Sequence, residues 1–111
     1  MAEPRIAIGS VDALPDVPYT RLLVSHRWPR GARGNVDQWE PALGPTPEWL
    51  ADGGDLPTQY REALASRAHL VQWAARMSMA NGVTLLAADE DEARALDILA
   101  DAIRAAAAEL A

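Results

Sequence analysis

Four arginines, a histidine and a tryptophan fall in one stretch of this chain that holds no acidic residue. Arg21, His26, Arg27, Trp28, Arg30 and Arg33 stand between Asp16 and Asp37, and no carboxylate in that interval offsets their charge. Guanidinium groups hold carboxylates and phosphates through paired hydrogen bonds, so the ligand such a cluster suits is a small anion. Arg27, Trp28, Arg30 and Arg33 are therefore the candidate ligand-binding residues. Pro29 and Gly31 restrict and then release the backbone around Arg30, and a guanidinium held by a stiff backbone loses less entropy in a bidentate contact. The whole chain carries a net charge of −6, which makes this a local cation cluster on an anionic body. The competing expectation is internal: the arginines pair with the chain's own carboxylates, with Asp89 or Asp91 reaching Arg30.

Other residue types offer less chemistry. His26 is the candidate proton carrier, with Arg27 and Arg30 as a clamp on developing negative charge. Its neighbour Ser25 is not its nucleophile, because adjacent strand residues point to opposite faces. His69 falls in the middle of a helical stretch and reads as an exposed or core-edge residue. Asp89, Glu90, Asp91 and Glu92 carry oxygen ligands that suit a divalent cation, but they lack the glycine spacing of a calcium loop. They read more simply as acids at a helix start, where the dipole favours them, and no metal site is assigned. Trp28, Trp39, Trp49 and Trp73 offer the lining of an aromatic pocket, with core packing the favoured expectation. Trp28 in particular should be buried, so that Trp28→Ala costs about 3–5 kcal/mol.

The elements that must position these groups can be read in order. Arg5 to Val11 alternates and is rich in β-branched residues, as a strand would be. Asp12 to Pro18 is a loop. Tyr19 to Ser25 is a second strand, whose Leu22-Leu23-Val24 run suits burial on both faces. Trp28-Pro29 stops it, and His26 to Val36 is the electropositive loop. Asp37 to Leu43 is expected to be a short helix, capped by Asp37 with Glu40 three residues on. Thr46-Pro47 opens another helical turn, and Ala51 to Leu56 is a loop. Pro57 to Met79 reads as one long helix with Leu64, Ala68, Val71 and Ala75 on a stripe, ended by Asn81-Gly82. Val83 to Ala88 is a third strand. A last helix starts at Asp89 to Glu92 and carries Leu96, Leu99, Ile103, Ala107 and Leu110 on one face. Strands separated by helices imply parallel pairing with right-handed crossovers. The expectation is a single α/β domain over residues 1–111: a small, mostly parallel sheet of three or four strands flanked by helices. The second and third strands should lie side by side, which brings the arginine loop near Asp89, Glu90 and Asp91.

RLLVSHRWPRG at 21–31, then DQWEPALGPTPEW, QYREAL and GVTLLAADEDE, resembles the YeaO-like family of uncharacterised bacterial proteins (domain of unknown function 488). The family pattern is a strand ending in Asp-Arg-Leu-Trp-Pro-Arg-Gly, then Asp-x-Trp with a Leu-Ala-Pro-Ser turn. A Tyr-Arg-x-x-Leu helix and a late Val-Thr-Leu-Leu strand follow. The resemblance runs from about Tyr19 to about Leu99. It departs at Ser25, His26 and Arg27, where the family has Asp-Arg-Leu. It departs again after the late strand, where Asp89, Glu90, Ala93 and Ala95 stand in place of Lys-Asp and a His-x-His. The resemblance therefore implies the fold more directly than an activity.

Composition excludes several classes. A chain of 111 residues is one domain by size, and folding buries roughly two-thirds of its unfolded surface. With no cysteine, disulfides, thiol catalysis, iron–sulfur clusters and Cys-ligated zinc are out. Nothing calls for a cofactor. The net charge of −6 argues against nucleic acid as a partner, and no apolar run approaches the roughly 20 residues of a membrane span. The N-terminal residues lack the apolar core of a signal peptide, so a cytoplasmic location is the default expectation. All ten basic residues are arginine. Three function classes remain: a binding module for a small anion or an acidic partner segment, a small enzyme built on His26, and an interaction domain acting as a homodimer. The missing family residues tip the balance toward binding without catalysis.

Overall fold

The computed structural model describes residues 3–13, 17–29, 34–50 and 55–110. Strand β1 (Ile6–Ser10) is followed by β2 (Thr20–Leu23) and a two-residue β3 (Gln38–Trp39). A 3₁₀ turn (Pro41–Leu43) and the helices α1 (Pro47–Leu50), α2 (Leu56–Ser66) and α3 (Ala68–Ala80) lead into β4 (Val83–Ala87). Helices α4 (Glu90–Ala93) and α5 (Leu96–Leu110) complete the chain. The four strands form one parallel sheet in the order β1-β4-β2-β3. This is the α/β domain expected, with β2 and β4 adjacent and parallel. Strand β4 lies between two neighbours and is buried along its whole length, which is why Val83-Thr84-Leu85-Leu86-Ala87 shows no alternation of polar and apolar residues.

The alternation of side chains divides the core. Leu22, Val24, Val83, Leu85 and Ala87 face the helices, where Leu64, Val71, Ala75, Leu96, Leu99 and Ile103 meet them. Leu23 and Leu86 face the other way, under Val11 and Val36. Those two caps come from the β1–β2 and β2–β3 connections, so the sheet is covered by helices on one face and by connecting chain on the other. Each fully buried leucine in such a core contributes about 1.5–3 kcal/mol. Gly82 ends α3 in a left-handed conformation, φ 85°. Its N–H and that of Asn81 both donate to Met77 O, and the ring of Tyr19 occupies the space a Cβ would need.

Two expected helices are built differently. The stretch from Pro57 to Met79 is two helices, because Arg67 leaves helical geometry at φ −117°, ψ 39°. Its Nη1 donates to Ala42 O at 2.7 Å, so a tertiary contact holds the break and no glycine or proline announces it. Asp37 to Leu43 is an edge strand followed by a 3₁₀ turn. Asp37 N–H donates to Arg21 O and Glu40 N–H to Leu23 O, both at 2.9 Å. The Asp37 carboxylate takes the Arg21 N–H at 2.8 Å instead of capping a helix, and Glu40 caps the 3₁₀ turn through the N–H of Ala42. Strand pairing with β2 prevails over the local helix signal. The last helix is also interrupted, at Arg94-Ala95, between α4 and α5.

No helix among the described residues is long and apolar enough to cross a membrane.

Candidate functional site

Parallel strands end together, so the chain leaving β2 emerges beside the chain leaving β4. The ladder runs one residue further, with Val24 N–H donating to Leu86 O at 3.0 Å. Ser25 then turns inward and is fully buried. Its hydroxyl donates to Glu92 Oε2 at 2.9 Å, and Glu92 Oε1 accepts the N–H of Ala88 at 2.8 Å. One buried carboxylate thereby ties the end of β2 to the end of β4. Ser25 also holds its own loop: its Oγ accepts the N–H of Arg27 at 3.2 Å, and its carbonyl accepts Trp39 Nε1–H at 2.8 Å.

These anchors aim the next three side chains outward. His26, Arg27 and Trp28 are exposed, while Pro29 is buried and pins the strand exit. Trp28 is 44% exposed, which corrects the expectation that it packs in the core. It lies edge-on against Trp39, ring centroids 5.3 Å apart and planes inclined at 66°, and Trp39 is itself 45% exposed. The reason is the edge strand: β3 carries Trp39 to the rim of the sheet, and Trp28 rests on that ring instead of on the helices. Trp49 and Trp73 do pack against the core. The destabilisation expected for Trp28→Ala falls accordingly.

Arg27 Nη2 meets Asp89 Oδ2 at 2.9 Å, with both side chains well exposed at 61% and 42%. An ion pair this exposed is worth about 0–1 kcal/mol. Asp91 pairs with Arg94 at 2.9 Å. Arg30 and Arg33 lie outside the described residues, and so does the expected contact of Arg30 with Asp89 or Asp91. Arg21 does not join the cluster; it is buried on the face of the sheet away from the helices. His69 is exposed on α3. His26 and Arg27 line a cleft of about 590 Å³ together with Pro47, Leu50, Asp89, Asp91 and Glu92. Among the described residues no three histidine or acidic side chains converge as a metal site.

Sequence reasoning missed Ser25, Glu92 and Trp39 as the framework of this edge. The signal for Glu92 was faint: it is one acid among four at a helix start, and only its burial separates it from the others. Asp89 caps α4 by accepting Glu92 N–H at 2.9 Å. That backbone hydrogen bond, with Arg27 adding to it, holds the Asp89 carboxyl below its ordinary value of 3.8. A depressed carboxyl contributes stability that is complete above its unfolded value and fades as pH falls through the folded one. Urea unfolding of the wild type and Asp89→Asn should therefore differ at neutral pH and converge below 3.8. A difference that persists unchanged into stronger acid would show that the cap does not depend on the charge.

No family model, curated protein or solved structure matches the chain.

Proposed function

We infer that the chain is a binding module for a small anionic ligand, held at the loop after β2 by Arg27, Trp28, Arg30 and Arg33. The observation that carries this reading is the Trp28–Trp39 pair, exposed at the carboxyl edge of a parallel sheet and next in sequence to Arg27, whose guanidinium faces Asp89. Ligands of open parallel sheets bind beyond the carboxyl ends of the strands. An aromatic surface and a guanidinium carried by the same short loop suit an anion with a flat apolar part, such as an aromatic phosphate or carboxylate. The Arg27–Asp89 pair is exposed enough to open for such a ligand at little cost. Arg30 and Arg33 enter by sequence, as further cations of the same loop. The likeness to the YeaO-like family belongs to this reading, on the strength of Trp28-Pro29-Arg30-Gly31 and of Asp37 to Trp49. So does a place in the bacterial cytoplasm, with neither nucleic acid nor a membrane as partner. The enzyme reading built on His26 is less favoured, because the Asp-Arg-Leu and His-x-His positions of the family pattern are replaced in this chain.

Titration calorimetry with phenyl phosphate and inorganic phosphate tests the proposal. Phenyl phosphate should bind more tightly. Trp28→Ala should remove the difference, and Arg27→Ala should weaken both ligands. Both variants should melt within a few degrees of the wild type, since both side chains are exposed. A wild-type protein that binds neither ligand ends the proposal, and self-association through the tryptophan pair would then be the reading to pursue.

A further inference from the structure

The face of the sheet away from the helices holds a second cation, separate from the loop cluster. Arg21 is only 7% exposed. Its Nε donates to Asn35 O at 2.6 Å, and its Nη2 to Ser10 O at 3.0 Å and Ala13 O at 3.1 Å. All three acceptors are neutral carbonyls. The nearest acid in the ladder, Asp37, takes the backbone N–H of Arg21 and not its guanidinium. Among the described residues the ion pairs are made by Arg27, Arg94 and Arg104, and none by Arg21.

Two donors remain at this point. Arg21 Nη1 makes no hydrogen bond among the described residues, and neither does the hydroxyl of Thr84, which sits opposite Arg21 in register on β4. Thr84 is itself 5% exposed. Both side chains line a cavity of about 60 Å³, walled by β1 from Ala7 to Ser10 and by Ala13 and Val17. A cavity of this volume suits a few waters or a small inorganic ion. No carboxylate among the described residues pairs with this guanidinium, and an anion gains charge-assisted hydrogen bonds there that a water does not.

We propose that this cavity is a binding site for a small monovalent inorganic anion of the size of chloride or nitrate, held by Arg21 and Thr84. It is independent of the ligand proposed for the loop after β2. The probe is chloride. Thermal unfolding of the full chain is followed at fixed ionic strength while sodium gluconate, whose anion is too large for the cavity, is exchanged for sodium chloride. Binding to the native state alone makes the melting temperature climb with chloride concentration. Thr84→Val keeps the shape of the residue and removes the hydroxyl, so the chloride dependence should fall severalfold in a protein that still folds. Arg27→Ala with Arg30→Ala should leave the dependence intact, which separates this site from the loop. Crystals grown in bromide should show an anomalous peak beside Arg21 Nη1. The proposal is overturned by a wild type whose melting ignores chloride, by a dependence that Thr84→Val leaves unchanged, or by bromide found elsewhere only. It is overturned equally if chloride dependence arises only in Asp16→Asn, which would assign the counter-charge to Asp16.

Discussion

Gly44→Ala should lower stability by about 3 kcal/mol or more, although it adds one methyl group in a loop. A Cβ at this position would collide with Val24 O and lie 2.8 Å from Val24 C. The obstacle is backbone on both sides, which cannot rotate away as a side chain could. The conformation of Gly44 is extended, φ −90° and ψ 162°, so any residue could adopt it, and the effect is purely one of space. Relief requires the chain at 43–45 to move off the end of β2. Leu43 is fully buried in the core, and its carbonyl accepts the hydroxyl of Tyr60, itself buried so completely that its ionisation is pushed upward by desolvation. Moving Leu43 therefore loses packing and strands a buried hydroxyl, which is why the cost should reach or exceed the usual 1–3 kcal/mol of overpacking. Urea or thermal unfolding measures it. A midpoint equal to that of the wild type would mean that the 3₁₀ turn is free to shift and does not brace β2.

Arg21→Leu is the second change expected to be severe, again about 3 kcal/mol or more. Leucine replaces the apolar stem and loses the guanidinium, leaving the carbonyls of Ser10, Ala13 and Asn35 without their donor. A buried polar group left unsatisfied costs about 1–3 kcal/mol. The three acceptors belong to three separate stretches of chain: the end of β1, the turn after it, and the return of the β2–β3 connection. Asn35 also donates to Val11 O at 3.0 Å, so the loosening should spread to the cover over Leu23 and Leu86. Arg27→Leu supplies the control, because its exposed pair with Asp89 predicts a change of no more than about 1 kcal/mol. Equal losses in the two variants, measured by denaturant unfolding, would contradict the assignment of Arg21 to the framework.

The contrast between these two arginines marks where sequence reasoning stopped. Both belong to one acid-free stretch, and nothing local separates them. Strand alternation places Arg21 on a face of the sheet, but only the course of the β1–β2 and β2–β3 connections covers that face and buries the guanidinium. Arg27, six residues on, lies past the end of the ladder and stays in solvent. The tryptophans divide in the same way. Trp49 and Trp73 sit on helices that pack on the core, whereas Trp28 and Trp39 share an edge that exists because two residues after Asp37 pair with β2.

What the sequence determined by itself was the parallel α/β plan: apolar runs at Leu22–Val24 and Val83–Ala87, helical periodicity between and after them, and Gly82 as a stop. Such signals are local and repeat along the chain, so each element announces its own type. The pairing of β2 with β4 follows from the order of those elements. Tertiary structure alone decided the rest, because the deciding contacts join residues far apart in sequence. The Arg67 guanidinium on Ala42 O splits a helix that is continuous by its own periodicity. The Ser25 hydroxyl reaches Glu92 across 67 positions. Trp28 rests on the ring of Trp39, and an aromatic residue expected in the core becomes the exposed surface on which the proposed ligand would sit.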